Sequence, residues 1–370
     1  MSSTRESTKP LREWVAALTL VGAISSPASG QVIDRTGDLR AEIFDRLVFP
    51  IRDSNRYCLP TPEGLEVWRQ AVDATLSGDL TVAAGLLQNF APCFPFLPSY
   101  KVVRYTDTST QRLFHILLEA DDDLNPTAVT GWGTYFFDPS PLRELSIEVP
   151  HPRADQYTER QGFDAFSQLS VRSLLLAGTH RCASRSPSPC TGPTPTCDFV
   201  RASDPPHGAT SDPRVTNAFQ IVHQVISAFM PRTVYLQIHG NIRCGADLLI
   251  SNTDSEFTVA PGGNVERLQA SVEAIIINPP DPPLSLRACS SEPEPMCNLC
   301  GTNNIQGRWT NGSMDNACQD PARALPAEPF IHIEQTPRMR ELDQDPRHDP
   351  PLHQVLIRAI DNTVFVQEQP

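Results

Sequence analysis

Three short apolar runs limit what this 370-residue chain can fold into: 174–177, 234–238 and 330–333. Each is too short for a stable helix and nearly free of the polar alternation of a half-solvated strand, so each reads as a strand covered on both faces. Each then breaks into polar residues: Gly178-Thr179-His180-Arg181, His239-Gly240-Asn241 and Glu334-Gln335. Helical periodicity fills the intervals. Asp212-Pro213 opens a helix running to about residue 230, with Phe219, Val222, Val225, Ile226 and Phe229 on its buried face, and further helices span 265–274 and 352–362. Strands alternating with helices specify an α/β architecture, a mixed, mostly parallel sheet with helices on both faces. The polar strand ends gather at one edge, where ligands bind in open α/β sheets.

The rest of the chain fits around this frame. Residues 100–105 and 112–119 alternate as a hairpin, 131–137 add a strand, and 162–169 and 246–251 read as helix and strand. Residues 31–97 form a small N-terminal helical segment, with helices at 41–48, 62–77 and 80–87, and 98–370 make up the α/β domain. Two Pro- and Cys-rich stretches interrupt that domain, at 186–213 and 278–328, and the first reads as a long exposed insertion or lid. Residues 1–30 carry Arg5, Lys9 and Arg12 ahead of a short apolar core and end in Ala28-Ser29-Gly30, the pattern of a secretory signal cleaved before Gln31. An uncleaved anchor is disfavoured because the apolar run is about half a membrane-spanning length. The expected location is secreted or periplasmic, with no membrane association after signal cleavage.

Charge and cysteine usage narrow the function. The net charge of -13 becomes -14 once the leader and its three basic and two acidic side chains are gone, and an acidic chain without a basic cluster is a poor partner for nucleic acid. Lysine occurs only at positions 9 and 101, so nearly every cation is an arginine, the better partner for a substrate carboxylate. Ten cysteines suit an oxidising compartment and disulfides, with Cys58 and Cys93 a possible pair. Cys297 and Cys300 have the spacing of a zinc knuckle or redox pair, but after an export signal disulfides are the better reading. The chain has no Gly-x-Ser-x-Gly elbow, phosphate-cradling Gly-x-x-x-x-Gly-Lys loop or dinucleotide fingerprint.

A metal is the chemistry that the strand-end residues suit. In Ser146-Ile147-Glu148-Val149-Pro150-His151-Pro152-Arg153-Ala154-Asp155 a strand hands over to a loop bearing a histidine and a carboxylate. His151, Asp155 and His239 would give three ligands and water the fourth corner of a tetrahedral zinc, an open site of the catalytic kind. Glu334 would be the general base, and Arg181 would hold a substrate carboxylate or the oxyanion. His180, Arg308 and Asn311 are candidates for substrate contact, although an ordinary Gly-rich turn also explains the last two. Glu148 and Glu159 are alternative acidic ligands, and His180 is an alternative to His239. His223, on a helix, reads as structural.

This order of residues, over about 100–340, resembles the zinc carboxypeptidase superfamily, including its aspartoacylase and succinylglutamate desuccinylase branch. The resemblance implies that His151 and Asp155 stand where that family has a His-x-x-Glu ligand pair, Thr179-His180-Arg181 where it has an Asn-Arg substrate pair, His239 as the strand-end ligand and Glu334 as the base. The wider His-x-x-x-Asp spacing is similar to that of phage-type polyglutamate hydrolases. The implied function is a secreted zinc hydrolase of an amide bond, acting on a peptide, an acyl amino acid or a polyglutamate fragment. The alternative is a non-catalytic binding protein that keeps the fold.

Overall fold

The computed structural model describes residues 31–88, 90, 100–188, 190, 197–207, 217–242, 245–254, 256, 258–275, 283–289, 299–342 and 345–367. Residues 1–30, read from sequence as a leader, and Cys93, the partner expected for Cys58, lie outside the described residues. In chain order the elements are β1 (Ile33–Gly37), α1 (Leu39–Glu42), α2 (Pro62–Leu76), α3 (Leu80–Gln88), β2 (Tyr100–Asp107), β3 (Leu113–Glu119), β4 (Thr134–Phe137), β5 (Arg143–Val149), α4 (Thr158–Leu169) and β6 (Val171–Leu176). There follow α5 (Ala218–Phe229), β7 (Val234–Gly240), β8 (Leu248–Ser251), α6 (Asn264–Ile275), β9 (Leu286–Ala288), α7 (Ile305–Thr310), β10 (Phe330–Gln335), α8 (Pro337–Arg340) and α9 (Leu352–Asn362).

All ten strands join one mixed sheet, in the order β1-β2-β3-β4-β6-β5-β7-β10-β8-β9. The three apolar runs lie in β6, β7 and β10, and with β5 they form the parallel centre of the sheet. Their apolar composition has a direct cause, since two cores sandwich them. On one face Ile147, Val149, Leu174, Leu176, Leu236, Ile238, Ile331 and Ile333 pack under α4, α6 and α9, and on the other Leu175, Tyr235 and Phe330 meet α2, α3 and α5. Neighbouring side chains point to opposite faces, and the registers Glu148↔Gln237, Gln237↔His332 and His239↔Glu334 set these polar residues side by side on the α5 face.

Several boundaries differ from the sequence reading. β1 was not foreseen, because Ile-Asp-Arg-Thr-Gly has no apolar face; it is held by parallel pairing with β2. Helix α5 begins at Ala218 with Asn217 as its cap, accepting from the Gln220 amide, and not at Asp212-Pro213, which lie outside the described residues. The strand expected from 131 starts at Thr134, because Gly131 (φ +70°) and Gly133 (φ +114°) take conformations open to glycine. The insertion after residue 186 is not a lid where it is described. Residues 200–206 are buried, Arg201 bonds the Cys182 and Ser184 carbonyls, and disulfides Cys182–Cys197 and Cys190–Cys318 staple it down. Cys300 pairs with Cys289, as a structural disulfide would, and Cys297 lies outside the described residues. Among the described residues, no helix is long and apolar enough to cross a membrane.

Candidate metal centre

His151 leaves β5 into a tight turn in which the amides of Ala154 and Asp155 both reach back to its carbonyl, at 3.0 and 2.8 Å. That turn brings two side chains four residues apart together, with His151 Nδ1 3.2 Å from Asp155 Oδ2. His239, near the end of β7, brings its own Nδ1 to 3.2 Å from that of His151 and 3.6 Å from the same carboxylate oxygen. All three residues are at least nine-tenths buried. Three donors around a metal at about 2.0 to 2.1 Å in tetrahedral geometry would lie about 3.3 Å apart, so the triangle has the size a zinc-like ion requires.

The second nitrogen of each ring decides what faces the triangle. His151 Nε2 lies 3.0 Å from Asp204 Oδ1, which can only accept, so Nε2 carries the proton. His239 Nε2 lies 2.7 Å from Gln237 Oε1, and Gln237 is oriented by its own Nε2, which donates to Glu148 Oε2 at 2.9 Å. The other Glu148 oxygen is 2.7 Å from Nδ1 of His223, whose role here is therefore to anchor that carboxylate. In the neutral rings both Nδ1 lone pairs consequently point at each other and at Asp155, three buried acceptors with no donor between them. Only an extra proton or a cation can satisfy this arrangement. Burial pushes the His239 imidazole down to about 4, so near neutral pH the ring does not keep a second proton. A cation centred between them would satisfy all three acceptors at once. For Asp155 burial pushes the carboxyl up, but hydrogen bonds and charge from the facing His151 and His239 more than offset this and hold it below the usual range, a role that with both rings neutral would pass to a bound cation.

Glu334 lies beside His239 in register on β10, and His239, His332 and Glu334 bring ligand atoms within 4.8 Å of one another. Burial, followed by the charge of Asp155, pushes the Glu334 carboxyl well up. Its Oε2 has no hydrogen-bond partner among the described residues, and its Oε1 lies 3.6 Å from His332 Nε2. The His332 ring in turn lies 4.4 Å, centroid to centroid, from that of His239. Beside a bound cation that carboxyl would ionise, and its unpartnered oxygen could then accept a proton from a water molecule.

The remaining candidates divide. Arg181 lies partly buried beside the centre, but its Nε and Nη2 both donate to Asp204 Oδ2, at 3.1 and 2.8 Å, leaving Nη1 for a ligand. Half-buried His180 accepts from the Cys182 amide through Nδ1 at 3.0 Å and stands outside the triangle. Arg308 and Asn311, read from sequence as substrate contacts, do not converge with these groups. Arg308 spends its guanidinium on the Thr302, Ala317 and Cys318 carbonyls and on Asn303 Oδ1, and Asn311 donates to the Asn252 carbonyl, so both hold the second insertion together. Glu148 and Glu159 also stand outside the triangle. Asp204 was missed by sequence reading. It is fully buried, is bonded by His151 and Arg181, lies 3.3 Å from His207 Nδ1, and comes from an aperiodic Ser-Asp-Pro-Pro stretch with nothing local to mark it. His332 was missed as well, because within an apolar run it reads as strand.

No protein-family model matches the chain, and no curated protein does. Among solved structures it is similar to N-formylglutamate amidohydrolase from Ralstonia eutropha JMP134, with 12% identity over 62% of this chain and 96% of that one and a TM-score of 0.33. It is also similar to metallo-carboxypeptidase from Burkholderia cenocepacia, with 12% identity over 78% of this chain and 67% of that one and a TM-score of 0.30. At such values any statement of function has to be carried by the side chains themselves.

Proposed function

We propose that this chain is an exported zinc-dependent hydrolase of an amide bond, of the carboxypeptidase or N-acyl amino acid amidohydrolase kind. The observation that carries the reading is the triangle of His151 Nδ1, His239 Nδ1 and Asp155 Oδ2, whose rings are fixed by Asp204 and Gln237 so that three acceptors face one point. These three residues would hold the zinc. When bound, zinc supplies Lewis acidity, polarising a carbonyl and making a water molecule acidic near neutral pH. Glu334, whose Oε2 has no partner among the described residues, would ionise beside the metal and serve as the base, taking a proton from the attacking water and returning it to the leaving nitrogen. Arg181, locked through two of its nitrogens, offers the third to a substrate carboxylate or to the developing oxyanion, where a fixed donor is worth most. The disulfides Cys182–Cys197, Cys190–Cys318 and Cys289–Cys300 suit export to an oxidising compartment.

The test is metal content followed by turnover. Mature protein should hold about one equivalent of zinc and cleave N-acyl amino acids or C-terminal peptide bonds. Glu334→Gln should keep the metal and lose about 100- to 10,000-fold in kcat, the usual worth of a general base. Absence of bound metal removes the proposal. Zinc retained without turnover of any amide substrate replaces it with a binding protein built on the same fold.

A further inference from the structure

Arg340, the last residue of α8, is a buried guanidinium that makes its hydrogen bonds to backbone carbonyls. Its Nε donates to the Gln335 carbonyl at 3.1 Å and its Nη1 to the Gln156 carbonyl. Its Cζ fills the space beside Gly240, where an added Cβ would fall 2.5 Å away. Gln335 follows Glu334, Gln156 follows Asp155, and Gly240 follows His239. One planar group therefore touches the residue directly after each of three site residues, which belong to three separate segments of chain. Alternation along β7 and β10 turns His239 and Glu334 to the α5 face and Gly240 and Gln335 to the other. The Gln335 amide accordingly meets Gln161 of α4.

We propose that Arg340 is a positioning residue that clamps the backbone behind Asp155, His239 and Glu334 from the opposite face of the sheet, fixing the metal triangle and the base relative to one another. The inference rests on the metal reading of the centre. Its physical basis is the fork of the guanidinium, which reaches divergent carbonyls while staying planar against a glycine; the single nitrogen of a lysine cannot do so. A cation buried on carbonyls alone carries a desolvation penalty. Here Asp155 and Glu334 are the charges that chiefly offset it, so the clamp and the site residues stabilise one another through charge as well as geometry. Metal affinity depends on ligands held to a fraction of an ångström, and losing a group that orients them typically costs about 10- to 100-fold.

Arg340→Lys and Arg340→Gln, compared with the wild type, test this in the full-length mature protein. Zinc affinity is read by chelator competition, and amide hydrogen exchange of the metal-free proteins is followed around residues 156, 240 and 335. Both variants should bind zinc about 10-fold or more weakly, and the three segments should exchange faster together while α2 and α3 do not. Gly240→Ala, which displaces the guanidinium and leaves Arg340 in place, should reproduce both effects. Unchanged zinc affinity in Arg340→Lys, or faster exchange at one segment only, overturns the clamp and leaves the metal centre standing. A wild type that binds no zinc overturns the metal reading, and this inference with it.

Discussion

Asp204→Asn is the perturbation whose outcome the geometry fixes most closely. The native carboxylate accepts from His151 Nε2 through one oxygen and from two nitrogens of Arg181 through the other. Asparagine has one acceptor and one donor, so it serves one neighbour correctly and opposes the other. If its oxygen stays on His151, the partly buried Arg181 faces an NH2 group, and leaving such an ion without its partner costs about 3 kcal/mol, the low end of the range for buried pairs. If the oxygen turns to Arg181, His151 must accept at Nε2 and move its proton to Nδ1, the nitrogen that faces the metal. The second cost is about that of losing an orienting group behind a ligand, 10- to 100-fold in affinity or roughly 1.4 to 2.7 kcal/mol. The smaller penalty wins, so the amide should turn its oxygen to Arg181. The expected result is a zinc affinity reduced by about 10- to 100-fold, with a smaller loss of metal-free stability. Chelator competition and urea unfolding of the metal-free protein measure the two. A zinc affinity within about twofold of wild type, together with a large stability loss, would refute the tautomer argument and leave Asp204 as the partner of Arg181 alone.

Three further outcomes follow from groups away from the triangle. Glu119 is buried with its carboxyl pushed up to about 7 by desolvation, against hydrogen bonds from Thr130 and Gly131 that lower it. The folded chain therefore holds this proton where the unfolded chain, with an ordinary value of about 4.3, has lost it, and the stability it contributes is complete below that value and lost as pH rises to about 7. Urea unfolding of Glu119→Gln should show the variant gaining about 2 to 3 kcal/mol on the wild type between pH 4.5 and 7, and a pH-independent difference contradicts the shift. Arg308→Met should lose about 3 kcal/mol of stability by abandoning buried acceptors, with kcat/KM unchanged within about threefold; a selective rise in KM would restore it as a substrate contact. Replacing both Cys182 and Cys197 by serine opens a loop with a sequence separation of 15, worth about 3 kcal/mol. Because that loop leads into Asp204, zinc affinity should fall along with the melting temperature.

The parts of this molecule that could be read in advance are those obeying a local period. A strand covered on both faces must be apolar, so β6, β7 and β10 stood out, and so did the His239 and Glu334 that end two of them. His151 and Asp155 could be paired because a single turn determines their proximity. Asp204 could not, since its place is set by disulfides to Cys182 and Cys318 and by the Arg201 contacts, none of which leaves a periodic trace. Nor could the occupation of Arg308, whose acceptors are carbonyls and therefore look the same in every sequence. The division has a functional consequence. The groups that would touch a metal or its water come from β7, β10 and the turn that directly follows β5, whereas Asp204, which orients His151 and anchors Arg181, comes from a loop stapled by covalent bonds. On β7 the strand itself supplies Gln237, the acceptor that sets the tautomer of His239, whereas His151, in the turn beyond β5, takes its acceptor from Asp204. Asp204 arrives from outside the sheet, and a short aperiodic loop with no core of its own can hold such an acceptor rigidly only if it is cross-linked. On this reasoning the cysteine content of the chain is tied to the protonation state of His151 as much as to overall stability, and reduction should loosen metal binding before it unfolds the sheet.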